Sequence, residues 1–231
     1  MDSAEFDRFA DEYETQHRAN IAITGESPEF FAAYKIAELA RFAADLPAAP
    51  ERILDFGSGI GNSIPFFRER FPAAALTCAD ASSRSMALSR QRFPGPERYA
   101  LVEGRELALD SDAFDVTFSA CVFHHIPHEE HGRWLKELLR VTRPGGLLAI
   151  FEHNPLNPLT ARAVNTCPFD ENAKLVRATT LLRSLEDAGW AEPAARYHIF
   201  FPHALAGLRP LERRLGWLPL GGQYSARARK P

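Results

Sequence analysis

Two hydrophobic rhythms divide the chain near residue 47. Before that point, FDRFADEYE and EFFAAYKIAELARFAADL set apolar residues three and four apart, the spacing of one helical face. Ser27-Pro28-Glu29 has the composition of a helix start, with Ser27 as N-cap and Pro28 in the first turn. Pro47 and Pro50 stop that helix. From Arg52 short apolar runs take over: RILDF, ALTCAD, YALVEG, FDVTFSACVF and LLAIFEH read as strands. NSIPFFRERF, SSRSMALSRQRF and EEHGRWLKELLRVT read as helices among them, and Pro144-Gly145-Gly146 as the turn into the fifth strand. Strands separated by helices predict a parallel sheet with right-handed crossovers. After His153 the regularity breaks. NPLNPLTARAVNTCPFDENAKLVRA reads as an insertion before a helix TTLLRSLEDAGW, ARYHIFF as a sixth strand, HALAGLRPLERRLGWLPLGG as a second irregular segment, and QYSARAR as a last strand. The organisation expected is a helical cap or lid over residues 1–47 and one α/β domain over 48–231. The sheet is mostly parallel with helices on both faces, and insertions fall at about 154–178 and 202–222.

Composition narrows the classes without changing that picture. The 231 residues are enough for one large domain with a full core, and 45% hydrophobic with 25% charged residues is ordinary globular usage. A formal charge of -3 supplies no positive field for nucleic acid, and the basic tail Arg227, Arg229, Lys230 is too short for a phosphate-binding face. Cys78, Cys121 and Cys167 form no CxxC pair, which argues against structural zinc and a disulfide framework. His124, His125, His128 and His131 crowd one loop without convincing ligand spacing, so no metal is expected. The acidic start MDSAEFDRFADEYE has no apolar run, and no stretch approaches the ~18 apolar residues of a spanning helix. A cytoplasmic protein is the expectation.

The chemistry centres on Ile53-Leu54-Asp55-Phe56-Gly57-Ser58-Gly59-Ile60-Gly61-Asn62, a glycine turn between a strand and a helix, as in Rossmann-like folds. Glycines allow the tight turn and let a ligand approach the backbone. A dinucleotide fingerprint needs glycine in the sixth place, and here that place holds Asn62. Asp55 stands at the strand end before the turn, where a carboxylate repels a pyrophosphate and suits a cationic amino group. Asp80 ends the second strand 19 residues beyond Gly61, the position of a carboxylate that accepts both ribose hydroxyls. Its alternative is to cap the helix that follows.

Together these segments resemble the class I S-adenosylmethionine-dependent methyltransferases. ILDFGSGIG resembles the first motif of that family, ADAS the second, FDVTFSACVFHHIP the region of the fourth strand, and RVTRPGGLLAIFEHN the unit that ends in the fifth. The likeness covers about residues 50 to 155, with AGW of the later helix as a further match, and is nearest to quinone-biosynthesis enzymes. It implies S-adenosyl-L-methionine as cofactor. Asp55, Gly57 and Gly59 would line its methionine part, with Ser58 and Gly61 of the same turn also cofactor-binding, Asp80 would hold the ribose, and Ala81 and Ser82 would edge the adenine. Arg105 stands where the family places an acid, with Glu106 as its substitute, and Ala120 and Cys121 would approach the methionine carboxylate or methyl region.

In an open α/β sheet ligands sit beyond the carboxyl ends of the strands. Those of strands four and five carry His124-His125 and Glu152-His153-Asn154. His125 or His153 is the candidate base for an acceptor that must lose a proton, and both have a purely structural alternative. Asn154 is an acceptor-side candidate, with Phe6, Phe9 and Tyr13 of the first helix as a lid or as simple packing. FFPHALAGL and WLPL are read as pocket wall, with a dimer contact or peripheral membrane contact as alternatives. Arg209, Arg213 and Arg214 among leucines suit anionic lipid or an acidic substrate. The partners expected are a small or lipid-like methyl acceptor and, for a dimer, a second copy. An NAD(P)-dependent oxidoreductase and a non-catalytic cofactor-binding module are the competing functions; a nucleic-acid methyltransferase lacks the basic surface.

Overall fold

A computed structural model describes residues 25–166 and 173–231. Phe6, Phe9, Tyr13 and Cys167 lie outside the described residues. Helix α1 spans Pro28–Ala43, and Ser27 caps it as expected, its hydroxyl accepting from the Phe30 N–H. Then follow β1 (Arg52–Phe56), α2 (Ile64–Arg70), β2 (Ala75–Asp80), α3 (Ser83–Arg92), β3 (Arg98–Leu101), β4 (Phe114–Ala120), α4 (His131–Val141) and β5 (Thr142–His153). The last third adds α5 (Pro158–Asn165), α6 (Ala178–Asp187), β6 (Ala191–His198), α7 (Glu212–Leu215) and β7 (Gln223–Arg229).

The seven strands form one sheet in the order β3-β2-β1-β4-β5-β7-β6. All pairs are parallel except those of β7, which runs antiparallel to both β5 and β6. Side chains alternate across the sheet, so each strand feeds two cores. Leu54, Phe56, Leu148 and Ile150 face Trp134, Leu135 and Leu138 of α4 and Leu181 and Leu185 of α6. Ile53, Val116, Phe118, Ala149 and Phe151 meet Ile36, Leu39 and Phe42 of α1 and Ile64 and Phe67 of α2 on the other face. The described part of the expected cap therefore shares a core with the sheet.

Among the boundaries that differ from the sequence reading, two bear on the site. Pro144-Gly145-Gly146 lies inside β5, where the register with β4 jumps from Phe114↔Thr142 to Val116↔Leu147. The turn residues make a bulge, with Gly145 at φ 74. The sixth strand begins earlier and stops at His198, because Ile199 turns into the left-handed region at φ 61 and takes the expected IFF out of the ladder. Residues 199–222 thus leave and re-enter the sheet beside the end of β5, where His153 pairs with Gln223.

Candidate functional site

The site assembles at the carboxyl ends of β1, β2, β4 and β5. Gly57 and Ser58 donate their N–H groups to the Ala79 carbonyl at 2.8 and 3.1 Å, tying the glycine turn to β2. Asp80 completes the tie. One carboxylate oxygen accepts the Gly59 N–H at 2.7 Å and the other the Ser82 N–H at 2.8 Å. A carboxylate has further lone pairs, so these bonds leave acceptor capacity for a diol. Gly57 and Gly59 both have positive φ, at 79 and 52. A Cβ at Gly57 would stand 2.2 Å from Val122 Cγ2, whereas one at Gly59 would meet nothing within 4 Å. The turn is closed on its protein side and open on the side of Gly59.

Asp55 is the electrostatic centre of this opening. It is 2% exposed, and its Oδ2 has no hydrogen-bond partner. Burial raises the carboxyl to about 7, the charge of Asp80 adds to the rise, and Lys35 opposes it. A buried acceptor left unsatisfied costs free energy, and a ligand amino group is the chemistry that would satisfy it. The residues present therefore fit S-adenosylmethionine better than a pyrophosphate.

On the other flank, Lys35 reaches from α1 to the Cys121 sulfur at 3.2 Å. Cys121 follows β4 with φ 59, and its N–H binds the Phe151 carbonyl at 2.7 Å. Burial would raise the thiol, but Lys35 and His153 outweigh it and bring Cys121 down to about 6. Tyr34, whose phenol burial holds well above its ordinary value, donates to Gln223 Oε1. Gln223 Nε2 in turn lies 3.4 Å from His153 Nδ1.

Glu152 fixes the loop after β4. Its Oε1 accepts from Val122 and Phe123 at 2.9 and 2.7 Å, and its Oε2 meets His124 Nδ1 at 2.6 Å. Burial pushes this carboxyl up, but the neighbouring His124, assisted by His153 and the Phe123 N–H, holds it below the usual range. His124 is buried, and the half-buried His125 ring lies 4.2 Å from it. His131 is likewise buried and bonds the Phe123 and Ile126 carbonyls at 2.8 and 2.9 Å.

The other sequence candidates divide. Gly61 is packed against Ser89 and Ile64, inside the turn. Ala81 and Ala120 are half-buried near the turn and the Cys121 loop. Ser82 is wholly buried, and its hydroxyl, not the Asp80 carboxylate, caps α3 by accepting from Ser85 at 3.0 Å. Glu106 is exposed. Asn154 requires a correction as an acceptor contact. It is 1% exposed, its amide donates to the Pro219 and Gly221 carbonyls at 3.2 and 2.7 Å, and its Oδ1 accepts from Leu156 at 3.1 Å. Those bonds use its donors and bind the two irregular segments together. Tyr34, Lys35 and Gln223 are new to the site, and Glu152, placed by sequence only at a strand end, acquires its loop-fixing contacts here. Lys35 had a readable signal, a charge on the apolar stripe of α1 between Phe31 and Leu39.

Residues 54–150 match the family described as a methyltransferase domain. A trans-aconitate 2-methyltransferase of Methylobacterium nodulans is 31% identical over 188 residues, covering 74% of this chain and 71% of that protein. A demethylmenaquinone methyltransferase of Clavibacter sepedonicus is 34% identical over 119 residues, 50% of this chain and 47% of that protein. Another trans-aconitate 2-methyltransferase, from an Azoarcus strain, is spanned over only 56% of its length. Among solved structures, a possible histamine N-methyltransferase of Thermotoga maritima superposes with TM-score 0.68 at 18% identity, over 99% of both chains. A Haemonchus contortus phosphoethanolamine N-methyltransferase holding S-adenosyl-L-methionine gives TM-score 0.66 at 17% identity, over 98% of this chain and 60% of that one. At those identities the structures speak for the fold.

Proposed function

The chain belongs to the class I S-adenosylmethionine-dependent methyltransferases, and on that premise we propose that it moves the methyl group directly onto a nucleophile of a small or lipid-like molecule. The bound donor supplies an electrophilic methyl carbon on a sulfonium. What the chain must add is alignment in a water-poor pocket. Asp55 takes the donor's amino group, Lys35 its carboxylate, and Asp80 its ribose hydroxyls. The open side of Gly59 leaves the space that ligand needs. The observation that carries this reading is the buried Asp55 oxygen without a partner beside that open turn.

For an acceptor that carries a proton, His153 is the group that receives it. The amide of Gln223 decides when. With its nitrogen toward the ring, Nδ1 accepts and the neutral imidazole carries its proton on Nε2. Turned over, the amide oxygen takes an Nδ1–H, and Nε2 is free as a base. The Tyr34 hydroxyl can serve either end of that amide because it both donates and accepts. His125, at the end of the 3-10 turn Phe123–His125, is the second candidate.

Titration calorimetry with S-adenosylmethionine, S-adenosylhomocysteine and NADH, on wild type and Asp80→Ala, tests the donor site. Micromolar binding of both sulfur ligands, weakened in the variant and absent for NADH, is the expected result. Folded protein that binds neither sulfur ligand would overturn the reading.

A further inference from the structure

We propose that the described residues 154–166 after β5 and 199–222 after β6 form a docking surface for anionic lipid bilayers. Scattered exposed leucines are normal on a protein surface, but here they are concentrated. Seven of the eight large hydrophobic side chains exposed among the described residues fall between 156 and 220. Leu156 and Leu159, 46% and 62% exposed, stand at the entry to α5. Trp217 and Leu220 are 76% and 57% exposed. The two pairs belong to one surface, because Asn157 donates to the Leu220 carbonyl at 2.8 Å and Asn154 to the Pro219 carbonyl at 3.2 Å. Leu208 and Leu211 follow at a three-residue interval in the 3-10 turn His203–Leu211, where side chains three apart share a face.

Charge selects the occupant. Glu212 is turned inward, its carboxylate accepting the N–H groups of Ile199, Phe200 and Phe201 at 3.2, 3.1 and 3.0 Å. Arg213 and Arg214 beside it are exposed, as is Arg162 of α5. A chain with a net charge of -3 thus carries arginines in the same segments as most of the large hydrophobic side chains exposed among the described residues. Indole and leucine side chains flanked by arginine match the boundary between anionic headgroups and acyl chains. The position fits delivery of an apolar molecule as well. β5 and β6 end, and β7 begins, at the carboxyl edge of the sheet, so the surface hangs from the same edge as Cys121 and His153.

The test uses the full chain with vesicles of phosphatidylcholine alone or mixed with phosphatidylglycerol. Of three tryptophans, Trp134 and Trp190 are buried, so a blue shift of emission reports Trp217. Expected are co-sedimentation with the anionic vesicles, a blue shift lost in Trp217→Phe, and binding that weakens with salt. Arg213→Gln and Arg214→Gln should each lower the partition about fivefold, with unchanged melting temperatures. Equal partition onto neutral and anionic vesicles, or none onto either, would overturn the proposal. So would a lipid-free emission shift that follows protein concentration, which would assign the surface to a second copy. Donor binding is read separately by calorimetry, so either conclusion can fail without the other.

Discussion

Replacing Asp55 by asparagine acts on stability and on cofactor binding in opposite directions. Burial, with Asp80 adding and Lys35 opposing, lifts the carboxyl from 3.8 to about 7 in the ligand-free fold. A group that binds its proton more tightly when folded adds stability at low pH, and that contribution fades as pH rises from about 4 through about 7. Three pH units of difference correspond to roughly 4 kcal/mol once the carboxyl is fully ionised. Asparagine has the same shape and cannot ionise, but its own buried amide costs about 1–3 kcal/mol. The net expectation for Asp55→Asn is a gain of about 2 kcal/mol at pH 8 and a loss of about 1–3 kcal/mol at pH 4, where only the amide cost is left. In a chain of this size the gain at pH 8 raises Tm by roughly 4–8 °C.

Cofactor binding should respond with the reverse sign. An amino group pairs with the ionised carboxylate, so below pH 7 wild-type Asp55 must first lose its proton. Apparent affinity for S-adenosylmethionine should then fall toward about tenfold per pH unit. Asp55→Asn removes a charged hydrogen bond worth about 1.5–3 kcal/mol, which weakens binding roughly 10- to 100-fold at pH 8 and flattens the profile. Thermal melts of the ligand-free proteins and calorimetric titrations from pH 5.5 to 8 read both effects. A variant that melts below wild type at pH 8, or that keeps the wild-type pH slope of binding, would refute the electrostatic argument.

Gly57 and Gly59, on the closed and open sides of the turn, should separate by assay. Gly57→Ala drives a Cβ into Val122 and should cost about 2–3 kcal/mol by chemical denaturation. Gly59→Ala meets open space, so it should cost only about 1–2 kcal/mol of backbone strain while cutting donor affinity at least tenfold. Glu152→Gln breaks a buried, charge-bonded carboxylate and should cost about 3–5 kcal/mol at pH 7 in a denaturation curve. Because the Glu152 carboxyl is held low in the fold, its contribution is present above pH 4.5 and is lost as acid carries the pH through that depressed value, so the penalty should shrink there. At pH 7 iodoacetamide should label Cys121 ahead of the buried Cys78, S-adenosylhomocysteine should protect it, and Lys35→Met should slow it several-fold. Peptide mapping by mass spectrometry reads the modified position, and equal labelling in the Lys35 variant would count against the ion pair.

The glycine turn and its two carboxylates, the half of the candidate site built on local signals, could be placed on the fold from residues alone. Asp55, the glycines and Asp80 lie where a strand meets a turn, and period-2 burial with glycine in left-handed positions is written in the order of residues. Even there the roles shifted. Helix α3 needed a cap, and Ser82, two residues beyond Asp80, supplies it, which frees the Asp80 carboxylate to hold the turn. The sixth strand was displaced because its IFF run satisfies the apolar pattern of a strand while Ile199 adopts a backbone conformation that ends one.

The other half depends on pairings that no short window contains. Tyr34 and Gln223 stand 189 positions apart and meet because β7 enters the sheet antiparallel beside β5. That register puts the Gln223 amide beside the His153 ring. Asn154 shows the same logic reversed. Its place after β5 suggested contact with the acceptor, yet the chain returning through Pro219 and Gly221 offers it two carbonyls, and a buried amide satisfies its donors where it can. Sequence therefore gathered its cofactor-side candidates in one βα unit, where local signals suffice. Tyr34, Gln223, His153 and Asn154 are brought together by tertiary register, with partners that arrive from the last strand and the segment before it.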